Sequence, residues 1–188
     1  AQLSYDITDW LNISGRVRVD NTHTKYEQKL YASSNLTITE ESTQGHYTIS
    51  KPDETQTYAD VLANINKRFN DFSLVANVGA SIVNNRYEDL SYRGPIREKG
   101  IPNVFNVFDL DNTKKKARQD EWQEQTQSVF ASVEVGWKSM LYFTLTGRND
   151  WASQLLGSSQ TSFFYPSVGL SGVISEMVKL PEWIDYLK

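Results

Sequence analysis

The sequence predicts an all-β chain, an antiparallel up-and-down meander of about seven strands, and three observations carry that reading. Apolar residues recur at every second position over long stretches. The stretches are joined alternately by tight turns and by long polar connections. Several of them extend over about 11 to 13 residues, against the ~5–6 usual for strands of soluble proteins.

The first element is short, with Leu3, Tyr5 and Ile7 on one face. From Leu11 the pattern is fuller: Leu11, Ile13, Gly15, Val17 and Val19 fall on one side, and Asn12, Ser14, Arg16, Arg18 and Asp20 on the other. Ala59, Val61, Ala63 and Ile65 form a third segment. In the fourth, Phe72, Leu74, Ala76, Val78, Ala80 and Ile82 oppose Ser73, Asn77, Gly79 and Ser81. The fifth sets Val129, Ala131, Val133, Val135 and Trp137 against Ser128, Ser132 and Glu134. The sixth sets Leu141, Phe143 and Leu145 against Tyr142, Thr144, Thr146 and Arg148. Phe164, Val168, Leu170 and Ile174 make the seventh, in which Pro166 predicts a bulge or a strand start, since proline cannot donate to the ladder. Beyond Ser175-Glu176, the run from Pro181 to Leu187 reads as a short helix with proline at its first position.

Turns at Thr8-Asp9-Trp10, Asn70-Asp71 and Lys138-Ser139 are short, and all fall on one rim. Asn and Asp tolerate the left-handed backbone that tight hairpins need. On the other rim about 35 residues follow Asp20 and about 40 follow Asn84, lengths that are uncommon for structureless loops inside a compact domain. A small polar connection, 152–161, completes that rim. Short turns on one side and long loops on the other are the expected asymmetry of an outer-membrane barrel.

Composition narrows the alternatives. With 39% hydrophobic and 22% charged residues, nothing marks disorder. There are no cysteines, which removes disulfides and thiolate metal sites. The net charge is −4, and basic residues are dispersed apart from Lys114-Lys115-Lys116 and Arg118, so nucleic acid is not an expected partner. No apolar run approaches the ~18 residues of a membrane helix. The mean hydropathy of −0.52 does not argue against a membrane barrel, whose strands are apolar on one side only. No initiator Met or signal peptide is read at Ala1-Gln2-Leu3.

The chemistry-bearing residues are few. Trp10, Trp137, Tyr142, Trp151, Phe163, Phe164 and Tyr165 fall at predicted strand ends. Barrels carry aromatic girdles there, with the ring body in hydrocarbon and the polar edge among headgroups. Packing at the ends of a soluble sheet and a sugar-stacking platform are the alternatives. Arg148, Asn149 and Asp150 beside Trp151 read as a rim-stabilising cluster, with ligand contact as the other reading. Arg16, Arg18 and Glu134 point to the polar side, a lumen face or equally a solvated one. His23 and His46 read as solvated loop histidines, and Asp109-Leu110-Asp111-Asn112 lacks the Gly and terminal Glu of a calcium loop, so no metal or other cofactor is expected. The acceptor patterns at Asn12 and Asn35 read as chance. No G-x-S-x-G, H-E-x-x-H or P-loop is present, and no enzyme is predicted.

The stretch LTGRNDWASQLLGSSQTSFFYPSVGLSGVISE closely resembles the barrel region of SusC/RagA-type TonB-dependent transporters of Bacteroidota. YDITDWLNISGRVRVDN is similar to a strand–turn–strand of that family. Arg148-Asn149-Asp150-Trp151 and Tyr165-Pro166-Ser167 are the most specific pieces, and the long loops carry none of the resemblance. It implies an arc of a 22-stranded, plugged transmembrane barrel in the outer membrane of a Gram-negative bacterium. Residues 1–188 are then a partial barrel domain, with the plug and TonB box elsewhere. It further implies import of oligosaccharides or peptides, TonB-derived energy and a SusD-like surface lipoprotein as partner, with outer-membrane lipids around the wall. A soluble β-sandwich carbohydrate-binding module is the alternative.

Overall fold

The computed structural model describes residues 1–178; the helix expected over 181–187 lies outside them. Eight strands form one antiparallel sheet: β1 (Gln2–Thr8), β2 (Leu11–His23), β3 (Tyr26–Leu30), β4 (His46–Phe69), β5 (Phe72–Pro95), β6 (Lys116–Trp137), β7 (Leu141–Ala152) and β8 (Ser162–Gly172). Their order is β1-β2-β4-β5-β6-β7-β8, with β3 paired to β4 off that path. The path thus has the seven strands expected of the meander, and β3 is an addition from within the first long connection. One helical turn, Ile174–Met177, follows β8. Among the described residues no helix is long and apolar enough to cross a membrane.

Three strands are far longer than the alternation of apolar residues suggests. β4 and β5 each have 24 residues and β6 has 22. Their added parts, such as TISKPDETQTY in β4, are polar on both faces. A period-two search for apolar residues is blind to such segments, although Thr, Tyr and Ile in them favour extended backbone. The connections expected to be structureless are therefore partly strand.

The short turns follow the chemistry of their residues. Asn70 has φ of 50°, and Lys138 and Ser139 have φ of 51° and 59°. Two successive left-handed residues give the turn twist that matches a hairpin, and the Met140 N–H donates to the Trp137 carbonyl at 2.9 Å. Between β1 and β2 the register shifts at Asp6/Thr8, where Ile7 is the extra residue of a bulge.

Pro166 corrects an expectation. It lies mid-strand in β8, opposite Gly147, in a β7–β8 register that runs without a shift from Leu141↔Gly172 to Trp151↔Ser162. β8 is the last strand of the order, and an edge strand has one side on which no described strand needs the missing N–H.

The chain divides into two compact units. Unit 1 comprises Ala1–Val19, Thr57–Asn84 and the described residues from Glu124 on; unit 2 comprises Asp20–Gln56 and Asn85–Gln123. Unit 1 is a single layer in which few side chains are buried, Ala76, Ser81, Ser128 and Val173 among them. Unit 2 has a small core of its own around Tyr47, Ile96 and Leu110, the last two joined by a β-bridge.

Packing within unit 1 is tight at Gly79, where an added Cβ would sit 2.7 Å from the Phe130 ring and 2.8 Å from the Val61 carbonyl oxygen. Replacing Gly79 by Val is expected to cost about 1–3 kcal/mol by overpacking. A lowered midpoint for loss of the folded form on heating in detergent checks this, and adding Phe130→Ala should recover part of the loss.

Candidate functional site

The β6–β7 and β7–β8 registers sort the side chains of unit 1 into two faces. Residues directly opposite in an antiparallel pair share a face, and successive residues alternate. One face carries the pairs Val133↔Leu145, Val135↔Phe143 and Trp137↔Leu141, continuing to Val168 and Leu170 of β8. The other carries Ser132↔Thr146, Glu134↔Thr144, Ser128↔Asp150 and Phe130↔Arg148, continuing to Ser167 and Tyr165. β1 and β2 divide likewise, with Leu3↔Gly15 and Tyr5↔Ile13 on one face and Gln2↔Arg16 on the other.

The apolar face is uncovered: Val168 and Leu170 are 67% and 72% exposed, and Leu3, Val17, Val78 and Leu145 are exposed too. Gly15, Ala59 and Ala80 leave an open concavity of about 640 Å³ in unit 1, walled by Leu3, Val17, Val61, Ile82 and Trp151. The surface it exposes is mostly apolar, although Arg16, Asp60 and Gln127 also border it.

The polar face is a ladder of paired groups. Arg16 donates to the Asp60 carboxylate through Nε at 2.9 Å and through its terminal nitrogen at 2.7 Å. Asn64 donates to Asn12 at 3.3 Å, and the Thr144 hydroxyl donates to Glu134 at 3.2 Å. Arg148 donates to Asp150 at 2.7 Å and to the Ser128 hydroxyl at 2.9 Å, and its guanidinium lies 5.9 Å from the centre of the Phe130 ring.

The residues singled out in the sequence are placed differently from one another. Arg148 and Asp150 are joined, but Asn149 and Trp151 belong to the opposite face; there Asn149 accepts from the Ser162 hydroxyl at 3.0 Å. The cluster is thus two half-clusters separated by the pleat. Phe164 lies on the apolar face with Trp137 and Trp151, while Phe163, Tyr165 and Tyr142 lie on the polar one. At the short-turn rim Lys67 sits 4.9 Å from the Trp10 ring centre, and Lys138 sits 5.3 Å from that of Trp137. A cation over a half-exposed indole suits a boundary between apolar and aqueous surroundings.

Unit 2 shows what the sequence reading missed. Residues 31–45 and 96–115 are knitted together: Ser42 Oγ donates to the Ile96 carbonyl at 2.8 Å, the Ile96 N–H donates to the Gly45 carbonyl at 2.8 Å, and the Ala32 N–H donates to Asn103 Oδ1 at 2.7 Å. Gly45 has φ of +112°, and a Cβ there would meet the Leu30 carbonyl oxygen at 2.6 Å. Tyr31 and Tyr47 both pack on Phe105. Tyr47 is pushed up to about 12, chiefly by burial and then by donating to Glu27 at 2.6 Å.

His46 is a correction. It is 4% exposed rather than solvated, with Nε2 3.6 Å from Glu40 and Nδ1 lacking a hydrogen-bond partner among the described residues. Burial pushes it below its ordinary 6.5, opposed by the charge of Glu40 and helped by Arg93 and Lys116. Glu40 itself is raised by burial, but the Arg93 hydrogen bond and nearby cations bring it below the usual carboxylate range. His23 is exposed and meets Asp53 at 2.7 Å. Asp109 pairs with Arg97 and caps with Asn106, Leu110 is core, and Asp111 is lowered by the Thr113 hydroxyl and N–H. None of these side chains converges with a third into a metal-holding group among the described residues.

No protein-family model and no curated protein matches the chain. Solved structures do. A chain of the RagAB peptide transporter superposes with a TM-score of 0.71 at 17% identity, over 92% of this chain and 19% of that one. The chain shares the fold of part of RagAB. A chain of the RagAB peptide importer in its closed-closed state gives 0.70 at 16% identity, with the same coverage. The chain therefore spans about a fifth of the length of the RagAB chains. The resemblance carried by the GRNDW and YPS segments is borne out as a likeness of fold to a transporter.

Two outcomes follow from these contacts. Arg148→Ala removes two hydrogen bonds and a ring contact at a part-exposed site and is expected to lower stability by about 1–2 kcal/mol, with Arg148→Lys in between. Thermal midpoints in detergent measure both. For His46, the folded value lies below the unfolded one, so the unfolded chain takes up the proton first as pH falls. Stability of unit 2 should be full above pH 6.5 and fall below it until the lowered folded value is reached; amide exchange at Thr39 and Ser42 reports this, and His46→Gln should flatten the dependence.

Proposed function

We propose that the chain is an arc of the wall of an outer-membrane transporter barrel that takes up peptides or oligosaccharides, driven through TonB and served by a SusD-like surface lipoprotein. The observation that carries this reading is the unit 1 sheet: one layer with an uncovered apolar face and a polar face on which Arg16, Asn64, Thr144 and Arg148 bond to neighbouring side chains. In water such a face costs about 25 cal/mol per Å² of apolar surface left exposed. In a bilayer the same face meets hydrocarbon, and the ladder satisfies the backbone internally.

Strand length supports the same assignment. A tilted strand crosses the hydrocarbon layer in ~9–11 residues. The 24 residues of β4 and β5 exceed that by more than twofold, and their unit 1 parts, residues 57–69 and 72–84, are long enough for one crossing. Peptides are the favoured cargo because the matched fold is that of a peptide transporter. A β-sandwich binding module would need a second sheet over Leu74, Ala76, Val78 and Ala80, whereas all eight described strands belong to one sheet.

The chain has no cysteine, so single cysteines can be placed at will. In a cysteine-free full-length protein in native membranes, Leu145→Cys and Val168→Cys should resist a membrane-impermeant maleimide and react with a bilayer-soluble one. Lumen-side labelling at Thr146→Cys and Ser167→Cys should show the opposite preference after the barrel is opened in detergent. Recovery of the protein as a soluble periplasmic monomer, or equal aqueous labelling of both sets, would sink the assignment.

A further inference from the structure

In unit 2, outside the segments assigned to the membrane, Tyr87 of β5 and Trp122 of β6 stack with ring centres 5.4 Å apart and planes 10° from parallel. Trp122 is 47% exposed and Tyr87 half-buried. Neither ring is in the unit 2 core around Tyr47, Ile96 and Leu110. Tyr and Trp are enriched at interfaces, where the apolar ring and the polar handle can each find a partner.

Here the surroundings are acidic. Burial first, and then the negative charges of Asp89, Asp120 and Glu54, raise the Tyr87 hydroxyl above its ordinary value, with Arg118 the cation that opposes them. Asp89 is buried, and the Ser50 hydroxyl at 2.8 Å and the Lys51 N–H at 3.1 Å hold its carboxyl group in place. Asp120 is paired with Arg118 at 2.6 Å. Glu54 is exposed. Asp89 and Asp120 lie two residues along from Tyr87 and Trp122, on the same face of their strands, and with Glu54 they put negative charge beside the two rings, opposed by Arg118.

Among the described residues the cation–ring pairs involve Tyr58, Trp10, Phe69, Trp137 and Phe130, and no lysine or arginine lies over Tyr87 or Trp122. The site thus sets two π-faces beside an acidic fringe. A guanidinium fits both halves: it is planar and stacks on indole, and its fork of N–H donors matches carboxylates.

We propose that the Tyr87–Trp122 stack with Glu54, Asp89 and Asp120 is a subsite for an arginine side chain of a peptide. This rests on the transporter reading and names the cargo chemistry that unit 2 selects. A neutral glycan would use the rings but not the carboxylates.

The test uses the full-length protein in detergent and two octapeptides identical except for a central arginine or citrulline, which has the same shape without the charge. The wild type should bind the arginine peptide about 10-fold more tightly than the citrulline peptide at low salt, the scale of one desolvated cation–π contact with a charge partner. Trp122→Ala should remove most of that preference, Trp122→Phe should keep part, and Glu54→Gln, at an exposed position, should lower it about threefold. Equal binding of the two peptides by wild type overturns the proposal, as does binding of neither peptide, equal weakening of both by Trp122→Ala, or Trp122-dependent binding of a neutral oligosaccharide. Because the cysteine labelling reads the wall and the peptide pair reads the subsite, a protein that passes the first and fails the second loses this inference alone.

Discussion

The constraint on which the structure depends is the pairing of every long strand with an antiparallel neighbour while its side chains are divided by the pleat. An antiparallel ladder satisfies backbone donors and acceptors within the sheet, so neither face needs water for that purpose. Each face is then free to match a different surrounding. In unit 1 one face is Val, Leu, Phe and Trp without a buried partner layer, and the other is a chain of Arg, Asp, Asn, Ser and Thr that bond to one another across strands. A one-residue slip in β7 would exchange the two sets. Register therefore carries the chemistry as well as the shape.

The ion pairs of the polar face illustrate how modest interactions are used there. The Arg16–Asp60 pair has its carboxylate side chain nearly buried and its guanidinium half exposed. Fully exposed pairs contribute only about 0–1 kcal/mol each, and this one, open to solvent on its guanidinium side, is still partly screened. The role of Arg16–Asp60 is better described as fixing which strand positions face each other, since it bonds a residue of β2 to a residue of β4. Arg148 does this once, to Ser128 across the β6–β7 pair, while its bond to Asp150 runs along its own strand.

What the sequence disclosed was what periodic apolar residues can disclose. The seven strands of the path, the rim that holds the tight turns, and the left-handed Asn70, Lys138 and Ser139 follow from alternation and turn chemistry. The polar extensions of β4, β5 and β6 and the five residues of β3 carry no apolar alternation, so the same signal passes over them. His46 has no local sign of burial in the sequence, since polar residues surround it; besides Glu40, the groups that reach it, Arg93 and Lys116, come from distant parts of the chain. The Tyr87–Trp122 stack joins two strands separated by a long connection, and no spacing rule brings those two rings together. The Arg-Asn-Asp-Trp run was conspicuous in the sequence, yet its adjacency misleads, since neighbours along a strand face away from each other.

The contact between Phe130 and the bare backbone of Gly79 has a meaning for how this wall varies. A ring occupies the place of the side chain that position 79 lacks, so volume at the two positions is shared. Drift toward a larger residue at one is tolerated only with a smaller residue at the other. Among homologues, the two columns of an alignment should change together, and a covarying small–aromatic pair at this spacing would mark the β5–β6 seam without any structure in hand.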